Sequence, residues 1–154
     1  MSVFVVDASV VVKWFVPEIH SDAARRLLVL PHEYVAPDLL FAETANTIWK
    51  KIRREELTAG EGQQLVADIA QIAVGTVSCR ALAEDAHALA TATRRTVYDS
   101  MYVALAVRLN TRSITADERL EAALKRIPAV AGHIQLVQTF ERDVQAGNGP
   151  GASE

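Results

Sequence analysis

Short apolar runs, each ended or interrupted by an acid, set the pattern of this chain. Val3-Phe4-Val5-Val6 is wholly apolar and rich in β-branched residues, which is how a strand buried on both faces of a parallel sheet reads. Asp7 closes that run, and Ser9 is placed to cap a helix beginning Val10-Val11-Val12-Lys13-Trp14, which Pro17 stops. Ser21 or Asp22 opens a second helix to about Leu30, with Pro31 beyond it, and Tyr34-Val35-Ala36 reads as a short strand. Asp38 is the expected N-cap of a long helix through Phe41, Ala45, Ile48, Trp49 and Ile52. Thr58 and Glu61 form a capping box ahead of a helix carrying Leu65, Ile69 and Ile72 on one face.

The second half continues the alternation. Gly75 to Ser78 gives a turn and a short strand, followed by helices over Arg80 to about Arg94 and Asp99 to about Asn110. Ser113-Ile114-Thr115 is a strand, Asp117 to Lys125 a short helix, and Ile134 to Val137 a last strand. Strands alternating with helices predict an α/β domain with a mostly parallel central sheet flanked by helices.

Composition narrows the class. A chain of 154 residues, half of them apolar and 23% charged, suits one hydrophobic core. The domain is expected over residues 1–140, with 141–154 as a flexible tail, because Ala146 to Glu154 has nothing to bury. A net charge of −3 and a pI near 5.8 exclude a broadly basic surface, so any nucleic-acid contact must come from local patches. Cys79 is the one cysteine, which fits a reducing, cytoplasmic compartment. Asp7 and Lys13 interrupt the N-terminal apolar run, which therefore reads as neither signal peptide nor membrane span.

The candidate chemistry lies in Asp7, Glu43, Asp99 and Asp117, each beside apolar sequence where an unpaired charge is costly to bury. Parallel α/β sheets collect functional groups beyond the carboxyl ends of their strands, at the point where strand order reverses. Asp7 and Asp117 each follow a strand, so if those strands are neighbours the two carboxylates face one crevice. Asn46 shares the helical face of Glu43. With His20, His32, His87 and His133 lacking ligand spacing, a hard cation such as Mg²⁺ or Mn²⁺ is favoured over zinc. The bland alternative is that Asp7 and Asp99 merely cap helices, and that Thr115 and Glu118 form a second capping box.

Val5-Val6-Asp7-Ala8-Ser9, Ala42-Glu43-Thr44-Ala45-Asn46, Tyr98-Asp99 through Ala106, and Thr115-Ala116-Asp117-Glu118-Arg119-Leu120 resemble the PIN domain motifs in order and spacing over residues 3–137. Among them the chain most resembles the VapC toxins of type II toxin–antitoxin pairs. That resemblance implies a Mg²⁺- or Mn²⁺-dependent endoribonuclease, with Asp7, Glu43, Asp99 and Asp117 as the metal site and catalytic acids. Ser9, Thr115 and Asn46 match its supporting polar positions. It also implies an RNA substrate, a cognate antitoxin in a groove that Trp14, Phe15 and Trp49 could line, and a homodimer. Many relatives carry a further acid where this chain has Arg119, so Glu118 or Glu121 would have to replace it. For the RNA backbone the sequence offers Lys13, Lys50, Lys51, Arg53, Arg54, Arg94 and Arg95, with the Arg94-Arg95 pair favoured for its nearness to Asp99. Core packing is the expectation for Trp49. The competing classes are a catalytically inactive PIN fold serving as an interaction module, and a phospho-acceptor receiver. The receiver lacks its late-strand lysine here, where Gln138 and Thr139 stand.

Overall fold

A computed structural model of the protein describes residues 2–147. Five parallel strands form the sheet: β1 (Val3–Val6), β2 (Glu33–Pro37), β3 (Gly75–Val77), β4 (Ser113–Thr115) and β5 (Ile134–Leu136). Their spatial order is β3-β2-β1-β4-β5, so the chain builds outward from β1 on one side and then returns to its other side. The reversal lies between β1 and β4, where Val5 pairs with Ser113 and Val6 with Ile114. Asp7 and Asp117 are therefore carried by adjacent strand ends at the switch point, as the sequence pattern requires.

Eight α-helices connect and cover the strands: α1 (Ala8–Phe15), α2 (Ser21–Arg26), α3 (Leu39–Arg53), α4 (Ala59–Ile69), α5 (Cys79–Thr93), α6 (Val97–Arg108), α7 (Glu118–Lys125) and α8 (Phe140–Gly147). Val5, Val6, Val10, Val11, Leu40, Ile48, Leu105 and Ile114 are fully buried and join the sheet to α1, α3 and α6. Every residue from Ser100 to Ala106 is buried, so α6 lacks a polar face over that stretch and lies against β1, β2, β4 and α5. Gly62 on α4 lets that helix approach α3: a Cβ there would fall 3.2 Å from Ile48 Cγ2 and 2.9 Å from Ile52 Cγ1.

Several helix starts differ from the sequence reading. The Thr58–Glu61 capping box forms as expected. Ser9 does not cap α1. Asp7 does, accepting from Val10 N, because a carboxylate nearer the strand end is the stronger acceptor and sits in extended backbone. Asp38 makes no cap bond to its own helix; its Oδ1 accepts from Cys79 N at 3.0 Å, at the start of α5. Thr96, not Asp99, caps α6, which places Asp99 one turn inside. Thr115 and Glu118 form no capping box: Asp117 caps α7 through Leu120 N. The second helix ends at Arg26 and passes into a 3₁₀ turn over Leu27–Val29. Residues 141–147, assigned to a tail by composition, continue α8, and 148–154 lie outside the described residues.

Candidate active site

Asp7, Glu43, Asp99 and Asp117 line one cleft of about 430 Å³, together with Ser9, Lys13, Glu18, Asn46, Thr47, Lys50 and Tyr102. Four separate elements deliver the acids: the β1–α1 junction, the second turn of α3, the first turn of α6 and the β4–α7 junction.

Asp7 is the most enclosed of them, with 9% of its surface exposed. Its Oδ1 accepts from Ser9 Oγ at 2.5 Å and from Val10 N at 3.3 Å. Burial raises its carboxyl to about 6, against the opposing pull of the Ser9 and Thr115 hydroxyls and the Val10 N–H. Ser9 is the hub of this corner. It also accepts from Ala116 N at 2.9 Å and stands 3.4 Å from Thr115 Oγ1, tying the start of α1 to the β4–α7 turn. Thr115 Oγ1 in turn accepts from Asp117 N at 3.1 Å, and Asp117 Oδ1 accepts from Leu120 N at 3.0 Å.

Glu43 and Asp99 are half-buried, and burial raises both carboxyls. Tyr102 Oη donates to Glu43 Oε1 at 2.5 Å, and this buried phenol is itself pushed upward, first by burial and then by the carboxylate it serves. The acids also repel one another in sequence: Glu43 raises Asp7, Asp99 raises Glu43, and Asp117 raises Asp99. Among the described residues, the hydrogen bonds to Asp7, Glu43 and Asp117 all fall on one oxygen of each carboxyl, which leaves the second unbonded.

This donor set suits a hard divalent cation, since it is all oxygen, partly desolvated and self-repelling. Among the described residues no three His, Cys, Asp or Glu side chains form a closed ligand group around one point. Glu118, Arg119 and Glu121 do not line the cleft, and Glu118 accepts from Gln138 Nε2 at 3.4 Å.

Of the cations the sequence offered, some line the cleft and some do not. Arg94 is the exposed, left-handed residue that follows α5 and does not line the cleft. Arg95 also stands outside the lining, with Nη2 3.9 Å from Asp99 Oδ2. Lys13 and Lys50 do line it. Lys13 is buried and paired with Glu18 Oε1 at 3.0 Å. Trp49, expected in the core, is half exposed with Arg53 stacked 5.0 Å from its ring, whereas Trp14 is partly buried and donates Nε1 to Ala24 O at 2.8 Å.

Tyr102 and Glu18 escaped the sequence reading. Tyr102 stands three residues from Asp99 on one helix, and that spacing alone places them on a common face. Glu18 gave no such signal, because Pro17 separates it from α1 and its partner Lys51 is remote in sequence.

The PIN domain family model matches residues 4–125. Ribonuclease VapC3 of Pyrobaculum aerophilum is 36% identical over 118 residues, covering 75% of this chain and 90% of that protein. PAE2754 from Pyrobaculum aerophilum superposes with a TM-score of 0.67 at 20% identity, over 93% of this chain and 89% of that one. VapC20 of Mycobacterium tuberculosis, described as a sarcin-ricin loop cleaving toxin, gives 0.60 at 18% identity over 78% and 94%. VapBC2 from Rickettsia felis, bound to a promoter DNA fragment, gives 0.57 at 14% identity over 87% and 98%. The sheet order, the four acids at its switch point and the matched family model agree: the chain belongs to the PIN domain family and resembles its VapC members.

Proposed function

We propose that this protein is a divalent-cation-dependent endoribonuclease and the toxin of a type II toxin–antitoxin pair, working with Mg²⁺ or Mn²⁺. The observation that carries the reading is the convergence of Asp7, Glu43, Asp99 and Asp117 on one cleft, with an unbonded oxygen left on three of them. A ribonuclease at 36% identity supports the substrate class. The antitoxin partner rests on the likeness to VapC proteins, one of which is solved as a VapBC complex. A homodimer and a cytoplasmic location follow from the same likeness.

In this reading the cation would be held among Asp7, Glu43, Asp99 and Asp117. The chemistry a bound divalent cation supplies is a water of lowered pKa and neutralisation of charge on phosphoryl oxygens. The protein's part is positional. Ser9 and Val10 N fix Asp7, Tyr102 fixes Glu43, and Leu120 N fixes Asp117, so the acids enter the cleft already oriented. Only the carboxylates stand where a proton can be taken from the attacking water. Burial raises the Glu43 carboxyl, as it does those of Asp7 and Asp99.

Cleavage of a mixed RNA pool tests the reading, with wild type, Asp7→Asn and an EDTA control run side by side. Metal-dependent cuts that disappear in Asp7→Asn are expected. Absence of cuts by folded, antitoxin-free wild type on total cellular RNA would overturn the reading in favour of an inactive interaction module.

A further inference from the structure

The cleft is bipolar along α3. Glu43, Asn46, Thr47 and Lys50 all line it, a spacing that puts them in one stripe on the helix surface. Lys50 lies about 10 Å along the helix axis from Glu43. The facing wall repeats this polarity, with Asp7 and Ser9 at the acidic end and Lys13 one turn further along α1.

Glu18 stands at the basic end. Its Oε1 takes Lys13 Nζ at 3.0 Å and its Oε2 takes Lys51 Nζ at 2.9 Å. Burial works against its charge, yet hydrogen bonds from Lys51 and Lys13 hold its carboxyl below the usual range. Each oxygen of one anion thus meets its own ammonium, which is how two non-bridging phosphate oxygens are gripped. Glu18 and Lys13 both line the cleft, Glu18 partly exposed and Lys13 buried. Lys50 beside them has no acidic partner among the described residues.

We propose that the basic end of this α1–α3 groove, Lys13, Lys50 and Lys51 around Glu18, is the subsite for an RNA backbone phosphate neighbouring the scissile one, with Glu18 as the resident anion that the phosphate displaces. This rests on the ribonuclease reading of the acidic end. The scissile phosphate belongs at the acids, and a chain running along the stripe brings its next charges to the amines. Asn46 and Thr47 between them offer hydrogen bonds and no ring for base stacking, so this stretch reads backbone, not sequence. Glu18 suppresses binding of stray anions when no RNA is present and leaves the lysines preset in one geometry.

Full-length Asp7→Asn protein, which does not cut, is titrated with a fluorescent single-stranded RNA oligonucleotide at several salt concentrations without divalent cation. Adding Lys50→Ala weakens binding about two- to fivefold at low salt. It also lowers the slope of log K against log salt by about 0.7. Adding Glu18→Gln does the opposite, tightening binding and steepening the slope by up to about 0.7 as Lys13 loses its acidic partner, while Lys51 keeps Glu56 at 3.7 Å. Arg126→Ala, outside the cleft at the end of α7, changes neither. Lys50 and Glu18 variants that behave like Arg126→Ala would overturn the subsite, as would an Asp7→Asn protein that binds no RNA. Should Glu18→Gln unfold by freeing the buried Lys13, Lys50→Ala decides alone, since its side chain is exposed. Cleavage by wild type is scored separately: RNA binding with the expected slopes but no cutting keeps the subsite and sinks the ribonuclease reading, whereas cutting with no change of KM in Lys50→Ala does the reverse.

Discussion

Asp7→Asn should make the cation-free protein more stable at neutral pH while abolishing its activity. The Asp7 carboxyl is raised from 3.8 to about 6, chiefly by burial. That shift corresponds to about 3 kcal/mol of disfavour for the ionised form in the folded state. Because the folded pKa lies above the unfolded one, the folded state binds the proton more tightly. Stability is therefore greatest at and below the ordinary carboxylate range, and is lost as pH rises through about 6. Asparagine removes the charge and keeps the structure: its carbonyl oxygen can still accept from Ser9 Oγ and Val10 N, and its amide faces the cleft.

Thermal melts in EDTA at pH 7 and pH 4 measure this. For a chain of this size, about 3 kcal/mol corresponds to a Tm about 6–12 °C higher for Asp7→Asn at pH 7. The difference should nearly vanish at pH 4, where wild type carries the proton as well. Excess Mg²⁺ should narrow the gap at pH 7 by stabilising only wild type. An Asp7→Asn protein no more stable than wild type at pH 7, or equally stabilised at both pH values, would refute the claim that Asp7 is held charged against its environment.

Tyr102→Phe removes the hydrogen bond on Glu43 Oε1 without a change of shape, and Mn²⁺ affinity read by electron paramagnetic resonance should fall about tenfold. Ser9→Ala strips one donor from Asp7 and leaves Ala116 N without its acceptor, so urea unfolding should show a loss of about 1–3 kcal/mol. Gly62→Ala puts a Cβ against Ile48 and Ile52 between α4 and α3; overpacking of about 1–3 kcal/mol outweighs the helix-propensity gain of about 1 kcal/mol, and the midpoint of denaturation should drop.

The fold was legible wherever burial alone decides the pattern. Val5 and Val6 are buried in a central strand, as the uninterrupted apolar run from Val3 requires, and Met101 to Ala106 is buried in the same way. Helix starts were harder, since several side chains near each start can cap and only geometry chooses between them. At α1 both Asp7 and Ser9 are competent; Asp7 takes Val10 N, which releases Ser9 to bridge to Ala116, a partner 107 positions away. At α6 the run Thr96-Val97-Tyr98-Asp99 fits a capping pattern in which either Thr96 or Asp99 could open the helix, and Thr96 takes the cap. The four acids were legible as a set because strand ends and helix turns fix where they emerge. The cations were legible in part: Lys13 and Lys50, both candidates from sequence, line the cleft, whereas Arg94 and Arg95 do not, although Arg95 stands 3.9 Å from Asp99.

The same geometry explains why the acids survive together in one cleft. Each sits on a different element, so none can be displaced without unpacking a strand end or a helix terminus, and Asp7, Glu43 and Asp117 are each anchored by hydrogen bonds. Repulsion runs from Asp117 through Asp99 and Glu43 to Asp7, and burial adds to it at the last three. Anchoring one oxygen and leaving the other unbonded keeps the carboxyls from relaxing away from one another. The strain is then available to any cation that enters, because neutralising one acid relieves its neighbours too. A protein built for stability alone would place asparagine or serine at these positions, which is why Asp7→Asn should gain in melting temperature what it loses in cleavage.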